Sequence, residues 1–199
     1  MSEVSSVLLA AGRSSRMGRE NKLLSPVEGE PMVRRLSERI LAAGVRELVV
    51  VLGFESEIVG AALPTSARSV RNPDFEEGMG RSLAVGVAAL ATDAEGILIA
   101  LADLPWLRAA SVRRLLEAFE ARPSWASIAG LRHGERRGHP VIFEAAHRPY
   151  LEACRGDEGA RSLVRERASE VLWVESEDDG VWRDIDRPQD WSWDSGGPP

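Results

Sequence analysis

The chain has 199 residues, a formal net charge of −6 and 44% hydrophobic content. That composition supplies one sizeable core. It also argues against non-specific nucleic-acid binding, which needs an excess of Lys and Arg to neutralise phosphates. No apolar run approaches the roughly 20 residues of a membrane span, and Cys154 is the only cysteine, so an intrachain disulfide or a cysteine metal cluster is excluded.

The expectation is a single domain over residues 1–191 with a frayed Gly/Pro-rich tail at 192–199. Val7 to Ala11 is apolar, but no Lys or Arg precedes it, so it reads as a first strand and the protein as cytoplasmic. Val4 to Ala10 is that strand. Pro31 opens a helix with Met32, Val33, Leu36, Ile40 and Leu41 as its apolar stripe, and Gly44 suits its C-terminal cap. Glu47 to Gly53 carries Leu-Val-Val-Val-Leu, a strand covered on both faces. Ser82 is placed as the cap of a helix bearing Leu83, Val87 and Leu90. Gly96 to Ala102 is a third strand. Ser111 is placed as the cap of a helix with Val112, Leu115, Leu116 and Phe119 at i, i+3, i+4 and i+7. Beyond Arg132 the pattern weakens. His139 to Phe143 reads as a strand, Gly159 to Arg167 as a helix, Glu170 to Glu175 as a strand, and Trp182 to Asp186 as a final short strand. The alternation predicts an α/β fold: a mostly parallel, doubly wound, Rossmann-like sheet with helices on both faces. Such sheets bind ligands beyond the C-terminal ends of their strands.

Two segments lie at those ends. The first runs from Leu9 through Ala10, Ala11 and Gly12 to Lys22, and places Arg13, Arg16, Arg19 and Lys22 within ten residues, opposed only by Glu20. Small residues let backbone N–H groups approach an anion, and Arg16 and Lys22 would neutralise a triphosphate. A solvated charge run is the plainer alternative. Neither the P-loop nor the dinucleotide fingerprint is present. The second segment ends at Asp103, after an apolar strand and before Pro105. A carboxylate there suits Mg²⁺, which takes one or two carboxylates plus substrate phosphates. A turn or cap Asp is the alternative. Asp184 and Asp186 flank Ile185 and point to one side of a strand, so one of them, Asp186 foremost, could complete the metal site, with a surface Asp pair as the alternative. Trp106 stands close to Asp103. His133 and His147 read as surface residues and Cys154 as structural.

Leu-Ala-Ala-Gly-x-Ser-x-Arg-Met-Gly followed by Lys22 resembles the signature loop of the MobA-like nucleotidyltransferases. The resemblance continues in order through Asn72-Pro73, Gly78 to Leu83, Leu101 to Pro105, Gly138 to Val141, Gly156 to Arg161 and Asp184 to Pro188. The later motifs resemble the molybdenum cofactor cytidylyltransferase branch. Arg187 departs from the family's frequent Thr, and the gap between Gly18 and Lys22 is of variable length in the family. The resemblance implies that Asn72, Gly78, Gly80 and Ser82 join Leu9 to Gly12 in nucleotide binding, and that His139, Asp157 and Arg161 contact the acceptor. It implies CTP as donor, with Ala11 standing where the guanylyltransferase branch has Gly, and a molybdopterin-type acceptor. A molybdoenzyme or its chaperone is the implied partner. Arg16, Lys22 and Asp103 would serve the transfer itself. The rivals are a sugar- or alcohol-phosphate nucleotidyltransferase and a non-catalytic cofactor carrier.

Overall fold

The computed structural model describes residues 3–13, 21–186 and 189–190. Arg16 and the tail at 192–199 therefore lie outside the described residues. In chain order the elements are β1 (Val4–Ala10), a hairpin of β2 (Pro26–Val27) and β3 (Glu30–Pro31), α1 (Met32–Ala42), β4 (Glu47–Leu52), α2 (Ser56–Ala61), β5 (Arg68–Arg71), α3 (Met79–Ala88), β6 (Gly96–Leu101), α4 (Ala109–Glu120), β7 (Ile128–His133), β8 (Arg136–Glu144), α5 (Arg148–Glu152), α6 (Arg161–Glu166) and β9 (Val171–Glu175).

The main sheet has the order β5-β4-β1-β6-β8-β7-β9. All neighbours are parallel except at β8, which runs against both β6 and β7. This is the Rossmann-like, doubly wound α/β architecture. Strand alternation sends Leu8, Val50, Leu98 and Ile142 to one face, where Leu36 and Ile40 of α1 and Leu115 and Phe119 of α4 cover them. Val7, Val49, Ile97, Ile99 and Phe143 point to the other face, beneath Leu83 and Val87 of α3, Leu151 of α5 and Leu163 of α6. Each such side chain contributes roughly 1.5–3 kcal/mol on burial, so strands covered on both faces are long apolar runs.

Four local expectations change. Ser82 is the fourth residue of α3, not its cap, and its hydroxyl accepts from Asn72 Nδ2 at 3.0 Å. The helix begins at Met79, and the Gly156 carbonyl takes the Gly80 N–H at 2.7 Å. Ser111 is likewise inside α4, and the buried Asp178 carboxylate serves as the cap. Its Oδ2 accepts from Arg108 N at 2.8 Å and from Ser111 Oγ at 3.0 Å, and its Oδ1 accepts from Gly180 N at 3.0 Å. Trp182 to Asp186 is not a strand. Both β6 and β8 already have partners on each side, so no sheet edge is open there. The segment follows a 3₁₀ turn at Asp179–Val181 and crosses the strand end, with Ile185 N donating to Asp103 O at 3.0 Å. His133 and His147 are half-buried and bonded, His133 Nδ1 to Ser176 O at 2.8 Å and His147 Nε2 to Ser127 Oγ at 2.9 Å. The sequence reading did not find β7, the short β5, α2 or α5.

Cys154 is buried, 3.5 Å from both the Tyr150 and Gly159 carbonyls, and burial pushes its thiol up. That suits the expected structural role.

Asp178 joins the last third of the chain to the start of α4 through several charge-assisted hydrogen bonds. Asp178→Ala is expected to lower the unfolding free energy by about 2–4 kcal/mol in urea titrations, because buried donors lose a charged acceptor. A loss under about 0.5 kcal/mol would show that water replaces the carboxylate without cost.

Candidate active site

The loop after β1 and the loop after β6 meet above the sheet. Ala102 N donates to Leu9 O at 3.0 Å, and Phe54 N donates to Ala11 O at 3.1 Å. Arg39 of α1 donates from one guanidinium nitrogen to the carbonyls of Pro105 at 2.5 Å and Leu107 at 2.8 Å, fixing the chain just beyond Asp103.

Lys22 enters this junction on a 3₁₀ turn, Lys22–Leu24, whose start is capped by Asn21 Oδ1 accepting from Leu23 N at 3.1 Å. Its Nζ donates to Asp103 Oδ2 at 3.0 Å, to Asp186 Oδ1 at 3.2 Å and to the Ile185 carbonyl at 2.6 Å. Burial works to lower the ammonium pKa. The charges and hydrogen bonds of Asp103 and Asp186 outweigh it, so the group sits above the ordinary lysine value.

One oxygen from each of Asp103, Asp184 and Asp186 lies within 4.8 Å of the other two. Asp103 Oδ1 is buried and has no hydrogen-bond partner among the described residues. The Asp184 carboxyl is pushed up, first by desolvation of its inner side, although the residue as a whole is exposed, and then by the negative charge of Asp103. Converging carboxylate oxygens, one of them enclosed and unpaired, fit a hard divalent cation. Such an ion takes oxygen ligands at about 2.0–2.6 Å.

A cavity of about 580 Å³ opens beside this cluster. Leu9, Ala10, Ala11, Gly12, Lys22, Gly78, Ser82, Asp103, Asp157 and Asp186 all line it. Arg13 lines it too, paired with Glu76 and lying 5.6 Å from the Phe54 ring centroid and 5.7 Å from that of Phe75. Asn72 and Gly80 do not reach the cavity. Asn72 is fully buried, accepts from Asp74 N at 3.1 Å and holds Ser82. Gly80 is a packing residue, since a Cβ there would stand 2.7 Å from the Arg155 backbone, and Gly78 beside it has φ +106°. Met79, inside the Gly78 to Leu83 motif, also lines this wall, whereas sequence reasoning did not single out Phe75 and Glu76, because the turn that presents them carries no fingerprint.

A second cavity, of about 430 Å³, adjoins the first. Leu9, Met79 and Leu101 line both. His139, Arg161 and Asp184 line the second. Asp157, expected beside them, instead faces the first cavity. Its neighbours Glu158 to Arg161 face the second, so this one loop divides the two. The His139 imidazole is pushed down by burial, and its Nδ1 is enclosed without a partner among the described residues. Trp106 lies outside both cavities, with the Arg183 guanidinium 4.7 Å from its ring centroid.

The model of the MobA-like NTP transferase domain matches residues 6–171. The chain belongs to that family. Within it, the chain is 37% identical over 188 residues to a protein of Paenarthrobacter nicotinovorans named nicotine blue oxidoreductase, covering 92% of each. It is 34% identical over 197 residues to the purine catabolism protein PucB of Bacillus subtilis, covering 93% of this chain and 92% of the other. Among solved structures, Rv0371c of Mycobacterium tuberculosis superposes with a TM-score of 0.83 at 29% identity, covering 96% of each chain. A manganese complex of Rv0371c superposes with a TM-score of 0.78 at 28% identity, covering 95% of this chain and 96% of the other. The chain is thus a nucleotidyltransferase of the MobA-like family, whose substrate class is a nucleoside triphosphate.

The Lys22 side chain is 11% exposed, against 22% for Asp103 and 40% for Asp186. Lys22→Met in chelator is expected to lower the unfolding free energy by about 2 kcal/mol at pH 7. This is less than for a fully buried pair, because Asp186 is solvated. A lysine raised in the folded state gives stability that is fully present below its unfolded pKa of about 10.4 and lost as pH rises through the folded value. The difference between wild type and variant should therefore be flat from about pH 7 to 9 and shrink above about pH 10.4. A difference that shrinks between pH 7 and 9 would contradict the assignment.

Proposed function

We propose that this chain transfers CMP from CTP to a molybdopterin-type acceptor and releases pyrophosphate. The observation that carries the proposal is the pair of adjoining cavities, with Lys22, Asp103 and Asp186 on one side of the junction and Asp184 on the other. Two substrates held in adjoining cavities can meet at one phosphorus. In-line transfer of this kind needs positioning and charge stabilisation more than covalent chemistry.

In this reading the triphosphate lies against Ala10, Ala11 and Gly12, whose backbone approaches it closely. The acceptor phosphate attacks the α-phosphorus, and the bond to the β,γ-pyrophosphate breaks. A phosphate monoester is already anionic at neutral pH, so the site requires no general base, and the neutral His139 is free to orient the acceptor. Lys22, with Arg16 from the same loop, would offset charge on the departing pyrophosphate. Asp103, Asp186 and Asp184 would hold Mg²⁺, which supplies neutralisation of the phosphoryl oxygens when bound. The manganese complex of Rv0371c supports a divalent ion in this role. The nucleotidylated product would pass to a molybdoenzyme or to the chaperone that loads one.

The relative named nicotine blue oxidoreductase favours a second reading, a redox reaction on nicotine blue. Incubation with CTP, Mg²⁺ and molybdopterin separates the two. Release of pyrophosphate supports transfer. Protein-dependent bleaching of nicotine blue in the presence of a chemical reductant, with no pyrophosphate formed in the CTP incubation, would replace it.

Asp103→Asn keeps the side-chain shape and removes the charge. Turnover should fall at least about a hundredfold, on the order of 2.7 kcal/mol of barrier, with an unchanged circular dichroism spectrum. Near-normal turnover at ordinary Mg²⁺ would sink the assignment of Asp103.

Ala11 is buried in the wall of the first cavity, where its methyl limits room for a purine. CTP should exceed GTP in kcat/KM by roughly 10–200-fold, the worth of about one methyl-sized difference in a pocket, and Ala11→Gly should narrow that ratio. Equal efficiencies in the wild type would remove Ala11 as the discriminating residue.

A further inference from the structure

The floor of the second cavity is a built surface. Arg137, His139, Val141 and Phe143 of β8 all line the cavity, the pairing with β7 shifting register between Val141 and Arg137. The floor continues across two more strands. Gly130 of β7 pairs with Val141 on one side and with Trp173 of β9 on the other. A Cβ built on Gly130 would lie 2.7 Å from Trp173 Cζ3. The indole therefore lies across β7 in the space a side chain would fill, and so reaches the cavity.

The Arg137 guanidinium carbon is 4.9 Å from the Trp173 ring centroid. Two other arginines stacked on rings, Arg183 and Arg122, also bind carboxylates, while Arg136 on Trp182 has no carboxylate partner among the described residues. Arg183 pairs with Asp179 at 2.9 Å, and Arg122 pairs with Glu144 at 3.0 Å. Arg137 has no carboxylate partner among the described residues, and neither does Arg161 on the cavity's other wall, although Arg165 one turn later pairs with Glu158. Among the described residues neither guanidinium has a carboxylate at ion-pairing distance, although Asp184 and the Arg165-paired Glu158 also line the cavity. Both face walls formed by Trp173, Phe143 and Leu83, where they are poised for an anion. A planar guanidinium binds a carboxylate or phosphate through paired hydrogen bonds, and its position on the indole is fixed before the ligand arrives.

We propose that Trp173, laid across Gly130, and Arg137, stacked on it, are specificity-determining residues for a planar ring that carries an anionic group, with Arg161 closing on the same anion. The ring stacks on the indole at the offset spacing usual for aromatic pairs. This rests on reading the second cavity as the acceptor side. It adds residues from β7, β8 and β9 to those the sequence motifs supply.

The test is a fluorescence titration of the purified protein, without nucleotide, against 6-carboxypterin and against unsubstituted pterin. The wild type should bind 6-carboxypterin at least about tenfold more tightly than pterin, the worth of one charge-assisted hydrogen-bonded pair. Arg137→Gln should abolish that preference, bringing the affinities for the two probes to within about twofold of each other. Trp173→Leu should weaken both probes at least about fivefold, while Trp173→Phe, which keeps a stacking ring, should stay near wild type. The phenylalanine variant keeps the test decisive if the leucine variant fails to fold. Equal binding of the two probes by the wild type, an Arg137→Gln variant that retains the preference, or a Trp173→Phe variant as weak as Trp173→Leu would each overturn the proposal. Pterin binding as expected with no pyrophosphate released from CTP would sink the transfer reaction and leave the shelf. Pyrophosphate release with another acceptor and no pterin binding would do the reverse.

Discussion

The site depends on one ammonium group. Lys22 Nζ holds Asp103 at the end of β6 and both Ile185 and Asp186 in the C-terminal segment, at 2.6 to 3.2 Å. Lys22, Asp103 and the C-terminal segment are far apart in sequence, and the hydrogen bond from Ile185 N to Asp103 O, at 3.0 Å, closes the same junction. Three carboxylates beside one ammonium leave a formal charge of −3 + 1 = −2. That deficit matches a divalent cation in charge, and the enclosed, unpaired Asp103 Oδ1 offers it a ligand atom. The lysine thus keeps the carboxylates together while leaving charge for a metal to satisfy.

The reversed strand decides what lies beside that cluster. Along β1, β4 and β6, parallel pairing brings three C-terminal strand ends to one edge, where an α/β sheet takes its ligand. Because β8 runs the other way, its beginning stands at that same edge, and Ile99 pairs with Val141. The residues just before Val141, including His139 and Arg137, therefore come level with Asp103. A parallel β8 would carry those side chains to the opposite edge and leave the second cavity without its floor.

The last third of the chain also caps the first two-thirds. Gly156 takes an open N–H at the start of α3, and Asp178 does the same for α4. Each helix start adjoins a site wall, Met79 and Ser82 in the first cavity and Leu104, in the loop leading to α4, in the second. Caps supplied from a distance fix those walls only once the whole chain has folded, which ties the geometry of the site to global stability.

The sequence by itself determined the class of fold, the strands β1, β4 and β6, the helices α1 and α4, and the loop from Leu9 to Gly12 with Lys22 and Asp103. Each rests on a local pattern: an apolar run, a 3.6-residue stripe, or small and charged residues next to a strand end. Ser82 and Ser111 looked like caps because a cap is legible only in local spacing, and a carbonyl or carboxylate some 70 residues away leaves no such trace. Trp182 to Asp186 looked like a strand because its alternation is real, but whether a sheet edge is open depends on how the other strands pair. Asp157 and Arg161 belong to one motif yet face different cavities. The tertiary structure alone decided the reversal of β8, the crossing of Trp173 over Gly130 and the meeting of Asp184 and Asp186 with Asp103. The reason is physical: these depend on contacts between residues distant in sequence, which no local periodicity encodes.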